Sequence, residues 1–223
     1  HRQSSAASDV YKRQGIMGQI IYYFWTYFRV TKNFIPLNFV VPTGNFGNAY
    51  AGFISKKMGL PINKIVVSSN KNDVLTRFFE SGKMESKKTL RSLSPSMDIQ
   101  VSSNFERLLF DFFKKGKDIK GLMKKLESQN EFQVSQSILS KIKKYFEFGK
   151  ISDADTLETI KYVNSKHNII IDPHTAVGYK VGKKKLTHEE KRVYLATAHY
   201  SKFIKTVSDA LNCSINYPKK LEN

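Results

Sequence analysis

The feature that most constrains this chain is Phe39-Val40-Val41-Pro42-Thr43-Gly44-Asn45-Phe46-Gly47-Asn48-Ala49. A short apolar run ends in a turn bracketed by two glycines, and helix-compatible sequence follows at once. It reads as a strand that delivers its turn to the carboxyl edge of a sheet. Gly44 and Gly47 let the backbone bend and approach an anion closely. The free N–H groups opening the next helix then point at that anion, helped by the helix dipole. Two glycines alone fit a tight strand-to-helix turn without a ligand equally well.

The pattern of strand, turn and helix repeats downstream. Phe39–Val41 is expected as a buried strand, and Gly47–Met58 as a helix stopped by Gly59 with Pro61 beyond it. Lys64–Ser68 reads as the next strand. Asn70–Asp73 offers cap chemistry for a helix over Asp73–Glu80 that stops near Gly82. This order implies a parallel sheet with helices on both faces. Apolar spacing predicts helices over Phe105–Lys115, Ile119–Ser128, Ser135–Phe148 and Asp155–Ser165, a helical insertion at about 104–165. A strand at Asn168–Ile171, a helix over Thr175–Val181, a strand over Arg192–Ala196 and a closing helix over Ser201–Leu211 complete the reading.

Composition narrows the classes. The 223 residues suffice for one sizeable core, and 40% hydrophobic content is that of a globular chain. The single cysteine, Cys213, excludes an internal disulfide and fits a reducing compartment such as the cytoplasm. His1, His167, His174, His188 and His199 lack the spacing of a metal site, so no metal is expected. A formal charge of +18 raises nucleic-acid binding, but the lysines are spread in short clusters on helix faces, and no nucleic-acid module is recognisable. An anionic substrate accounts for the bias more simply. Ile16–Phe28 is the most apolar window, too short to span a bilayer, and reads as a buried aromatic-rich helix. Residues 1–14 have no apolar periodicity. They resemble a translated sequencing adapter, so they are expected to be foreign to the fold, which is assigned to residues 15–223.

The words around the turn are more specific than the turn. Pro42–Asn48 followed by Lys56-Lys57-Met58-Gly59-Leu60-Pro61-Ile62 resembles the threonine synthase family of pyridoxal-phosphate enzymes. Ser69–Phe79, Ser94–Ile99, Ser102–Arg107, Asp172–Gly178 and Ala196–His199 resemble further family segments in the same order, from about residue 15 to 211. The resemblance implies an incomplete α/β fold of the tryptophan-synthase-β-like type, an open and mostly parallel sheet. It implies pyridoxal 5'-phosphate as cofactor and O-phospho-L-homoserine as substrate, converted with water to L-threonine and phosphate.

The resemblance also assigns roles. Gly44, Asn45, Phe46, Gly47 and Asn48 would hold the cofactor phosphate, at about 1.5–3 kcal/mol per charge-assisted bond. Thr197, at a strand end, would offer its hydroxyl to the pyridine nitrogen. Asn104, Arg107 and Lys202 are candidates for contact with the substrate. His174 and His199 read as structural histidines bonded to loop backbone. The family's Phe-Lys-Asp motif, which carries the Schiff-base lysine, does not occur here, so the expectation is a carboxyl-terminal fragment that is inactive by itself. Where the family usually reads His-Pro-Ala-Lys-Phe, this chain has His199-Tyr200-Ser201-Lys202-Phe203, as in threonine synthase-like relatives. A phospholyase giving 2-oxobutyrate and a non-catalytic phospho-ligand-binding homologue are the alternatives.

Overall fold

The computed structural model describes residues 2–216. In chain order its elements are α1 (Arg2–Val30), β1 (Leu37–Pro42), α2 (Gly47–Lys57), β2 (Ile62–Ser69) and α3 (Val74–Ser81). Then come β3 (Lys83–Glu85), α4 (Phe105–Phe113), α5 (Gly116–Gln129), β4 (Glu131–Gln133), α6 (Gln136–Lys143) and β5 (Phe146–Lys150). The chain closes through α7 (Asp153–His167), α8 (Pro173–Lys185), β6 (Arg192–Tyr194) and α9 (Ile204–Leu211).

Every residue of β1 is buried, because the strand is central and covered on both faces. Successive side chains alternate between them. Phe39 and Val41 enter an aromatic core with Phe53 of α2 and Phe79 of α3. Val40 points the other way, to Val177 and Val181 of α8. The sheet order is β5-β2-β1-β6, and each neighbouring pair is parallel. From β1 the chain leaves through α2 to β2 on one side, whereas β6 returns on the other. The β1–β6 boundary is therefore a topological switch point, where open α/β sheets leave a crevice at the carboxyl ends of their strands.

Glycine sets how closely α8 approaches. A Cβ on Gly182 would stand 2.7 Å from Tyr194 Cε1 and 2.9 Å from Val40 Cγ2, so only hydrogen lets the helix rest on β1 and β6. The same helix opens on Asp172, whose side chain accepts from the backbone of His174 and Thr175, with Pro173 in the first turn.

Several elements depart from the sequence reading. The helix expected over Ser135–Phe148 ends at Lys143, and Phe146–Lys150 is an edge strand of the main sheet. Ile138, Leu139, Ile142, Tyr145 and Phe146 continue a helical period. Pairing of Phe146 with Ile65 and Phe148 with Val67 overrides it. The insertion is thus not purely helical; it also holds β4, which pairs antiparallel with β3. Asn168–Ile171 forms no strand. Asn168 takes a left-handed φ of 54° to end α7, and Ile170 and Ile171 pack with Ile160, Ala176 and Val207 instead of joining the sheet. The last strand stops at Tyr194. Asp73 precedes α3 without capping it, its carboxylate being taken by Arg77 and Lys150.

α1 starts at Arg2 and so runs through the segment set aside as foreign. Its aromatic stretch is buried on one face only. Ile16, Tyr23 and Tyr27 are buried, and Ile20 and Phe24 partly so, at helical spacing. Met17, Ile21, Tyr22, Trp25 and Phe28 are exposed, which corrects the expectation of a buried helix. No helix among the described residues is long and apolar enough to cross a membrane.

Candidate functional site

The glycine-bracketed segment forms the β1–α2 turn. Thr43 N–H still donates to Ser68, extending the sheet by one residue, and α2 opens at Gly47. Between them Phe46 takes a left-handed φ of 65°, an uncommon conformation for a bulky residue. Its ring offsets this strain. It is fully buried edge-to-face on Phe105 at 5.0 Å and packs against Phe146 at 5.7 Å.

The loop is held through its carbonyls. Ser102 Oγ donates to Gly44 O at 2.9 Å. Asn104 donates to Asn45 O from both its backbone and its side-chain nitrogen, at 3.0 and 3.1 Å. Asn45 Oδ1 accepts from Gly47 N–H. The N–H groups of Gly44, Asn45, Phe46, Asn48 and Ala49 have no hydrogen-bond partner among the described residues. A row of unpaired donors at a helix start, with its carbonyls tied back, matches an anion site. Among the described residues no carboxylate is bonded to the turn. A Cβ on Gly44 would stand 2.6 Å from the Ser96 carbonyl, so the glycine is required by space.

The Ser96 segment is itself positioned by a buried pair. Ser96 N–H donates to His174 Nε2 at 3.2 Å, which leaves Nδ1 as the protonated nitrogen, donating to Asp172 Oδ1 at 2.9 Å. Burial pushes the Asp172 carboxyl up, but hydrogen bonds from His174 and Thr175 outweigh it and hold the group below the usual carboxylate range. His174 is therefore structural, as its sequence context implied. His199, exposed, bonds Ser201 within its own turn.

A cavity of about 450 Å³ opens at the switch point, between α1 and the β6 edge. Asn48 at the start of α2 and Thr197 beyond β6 both line it, with Phe39 and Leu195. Two of the residues expected to hold the cofactor thus border the same cavity. Gly44, Asn45, Phe46 and Gly47 lie beside it rather than on its lining. Tyr23 closes the α1 side. Its hydroxyl donates to Asn48 O at 2.8 Å, and its ring rests where a Gly52 Cβ would be. Burial pushes the Tyr23 hydroxyl pKa far up, so it stays a neutral donor.

The candidate substrate contacts divide. Asn104 is buried and occupied by the loop and by Arg107 Nε, which donates to its Oδ1 at 3.2 Å. Lys202 is exposed on the Tyr200–Phe203 turn. Residues that sequence reasoning missed are Gln19 and Tyr23, from a helix read only as apolar, and Ser102, which precedes Asn104 in a segment already singled out.

The fold and the segments around this site have known counterparts. The family model described as "Threonine synthase, C-terminal" matches residues 175–223. The threonine synthase of Saccharomyces cerevisiae is 41% identical over 224 residues, covering 91% of this chain and 43% of the relative. The crystal structure of PLP-bound threonine synthase from Brucella melitensis superposes with a TM-score of 0.88 at 40% identity, covering 92% of this chain and 45% of that one. Human threonine synthase-like 1 is 35% identical, covering 88% of this chain and 28% of the relative. The chain matches the carboxyl-terminal part of threonine synthase and spans under half the length of these relatives.

Proposed function

We propose that this chain, a match to the carboxyl-terminal part of threonine synthase, binds pyridoxal 5'-phosphate at the β1–α2 turn and Thr197. The whole enzyme would then convert O-phospho-L-homoserine and water to L-threonine and phosphate in the cytoplasm. The observation that carries this reading is the set of N–H groups at Gly44, Asn45, Phe46, Asn48 and Ala49 without a partner among the described residues, beside a cavity shared by Asn48 and Thr197.

The residues present fit the cofactor. Its phosphate would accept from the free N–H groups, each such bond contributing about 1.5–3 kcal/mol. Thr197 would meet the ring nitrogen with a neutral hydroxyl, which leaves that nitrogen unprotonated where a carboxylate would draw a proton onto it. When bound, the cofactor supplies the electron sink for proton removal next to the amino group. Asn104 acts through the loop it ties down. Arg107 and Lys202 supply positive charge for the phosphate of the substrate. No lysine lines the cavity among the described residues. We therefore assign the covalent attachment of cofactor, and turnover, to sequence beyond the matched part.

A phospholyase giving 2-oxobutyrate is the second reading, favoured by the human threonine synthase-like match and the His199–Phe203 wording. It uses the same residues and differs in product.

The test is a titration of the purified chain with pyridoxal phosphate, in competition with inorganic phosphate. Saturable, phosphate-competed binding that Gly44→Ala abolishes and Thr197→Val weakens is expected. Binding that ignores both variants would remove the basis of the proposal. So would a borohydride-fixed pyridoxyl group at one stoichiometric lysine, because it would place the attachment site within this chain.

A further inference from the structure

Gln19 projects from α1 toward the start of α2. Three amide side chains from three segments surround the point where a Gly47 Cβ would stand: Asn45 Oδ1 at 3.2 Å, Gln19 Oε1 at 3.3 Å and Asn104 Nδ2 at 3.5 Å. Asn45 accepts from Gly47 N–H, and Asn104 donates to Asn45 O. Gln19 Oε1 is buried and has no hydrogen-bond partner, the one such side-chain atom among the described residues. Gln19 also lines the cavity that holds Asn48 and Thr197.

A buried carbonyl oxygen without a partner is costly, and native structures rarely keep one without a use. Turning the carboxamide over exchanges Nε2 for Oε1 with no change of shape. It then presents a donor beside Gly47, next to N–H groups that also lack acceptors.

We propose that Gln19 is a binding residue of the anion cradle. Its carboxamide donates to the phosphate group held at Gly44–Ala49, adding α1 to a cradle otherwise built from the β1–α2 turn. The inference rests on the reading of the β1–α2 turn as a phosphate site. Its energetic signature is a conflict: the side chain weakens the unliganded fold and strengthens anion binding.

The experiment measures binding of inorganic phosphate to the full chain by calorimetry, together with thermal unfolding without ligand, for wild type, Gln19→Leu and Gln19→Glu. Gln19→Leu should raise the unfolding midpoint, because an unpaired polar atom is removed. It should weaken phosphate binding by roughly 10- to 100-fold, the loss of one hydrogen bond to an anion. Gln19→Glu keeps the shape and places a carboxylate against the anion. With sulfate as probe, which does not titrate in this range, its affinity should recover toward wild type as pH falls from 7 to 4. If wild type binds phosphate and Gln19→Leu binds it equally, the role of Gln19 is refuted and the phosphate site stands. A lower unfolding midpoint for Gln19→Leu also refutes it, since the side chain would then be serving the fold. No phosphate binding by wild type overturns the site itself.

Discussion

Asp172 shows how a single residue acts at a distance from any ligand. Its carboxylate caps α8, orders the His174 ring and so fixes Ser96, which lies against Gly44. Its folded-state pKa is depressed, so the charged form is the one the fold stabilises. The sign follows: this stability is present above the unfolded value of about 4 and is lost as pH falls through the lower folded value. Asp172→Asn should cost about 1–3 kcal/mol at pH 7. The gap from wild type should narrow below about pH 4. Urea unfolding of both proteins across pH 3–7 checks this, and a constant gap would show that the charge is irrelevant. Measuring the difference removes the parallel titration of Asp73 and Asp155, which are also depressed.

At the scale of elements, the contact of α8 with β1 and β6 decides where Thr197 stands. β6 is short and half-exposed, and among the described residues it pairs only with β1. Its position depends on Tyr194 lying against the bare backbone of Gly182. Gly182→Ala should therefore push α8 off the sheet and cost about 1–3 kcal/mol, the penalty of overpacking. The better helix propensity of alanine, worth about 0.8–1 kcal/mol over glycine, offsets part of this. Thermal unfolding reads the loss, and pyridoxal-phosphate titration should show weaker binding because Thr197 moves with β6. A variant as stable as wild type, with unchanged binding, would mean that the close approach is adaptable. The αL turn at Phe46 belongs to the same scale, since its strained backbone persists only because α4 and β5 provide the rings that hold it.

For the whole molecule, the excess positive charge is the dominant global term. With a formal +18 spread over the chain, self-repulsion opposes the compact state. Raising the ionic strength from about 0.01 to 0.15 M shortens the screening length from about 30 to 8 Å. The unfolding midpoint should rise over that interval. A falling midpoint would instead assign more weight to partly exposed ion pairs such as Lys83–Glu131 and Lys71–Asp153. The exposed aromatic face of α1 is the other global feature. Trp25 is 58% exposed, so Trp25→Glu should change stability by no more than about 0.5 kcal/mol, checked by the same denaturation assay.

The sequence by itself determined the β1–α2–β2–α3 unit, its parallel order and the placement of the glycine turn. Those features are local: short continuous apolar runs, glycine stops and strand-to-helix turns need few distant partners to be read. It also carried the resemblance to threonine synthase, since Pro42–Asn48, Asp172–Gly178 and Ala196–His199 occur as ordered words. Tertiary structure alone decided the rest. Phe146–Lys150 became a strand because β2 had a free edge to offer, against a helical period running through Tyr145 and Phe146. Ile170 and Ile171 stayed out of the sheet because their side chains found α7, α8 and α9. Asn104 looked like a substrate contact, and the fold spends it on Asn45 O. Gln19 was invisible in an aromatic run, because its meaning lies in what surrounds its oxygen. Whether a buried polar atom has a partner depends on packing between elements far apart in the chain, and no window of sequence contains that information.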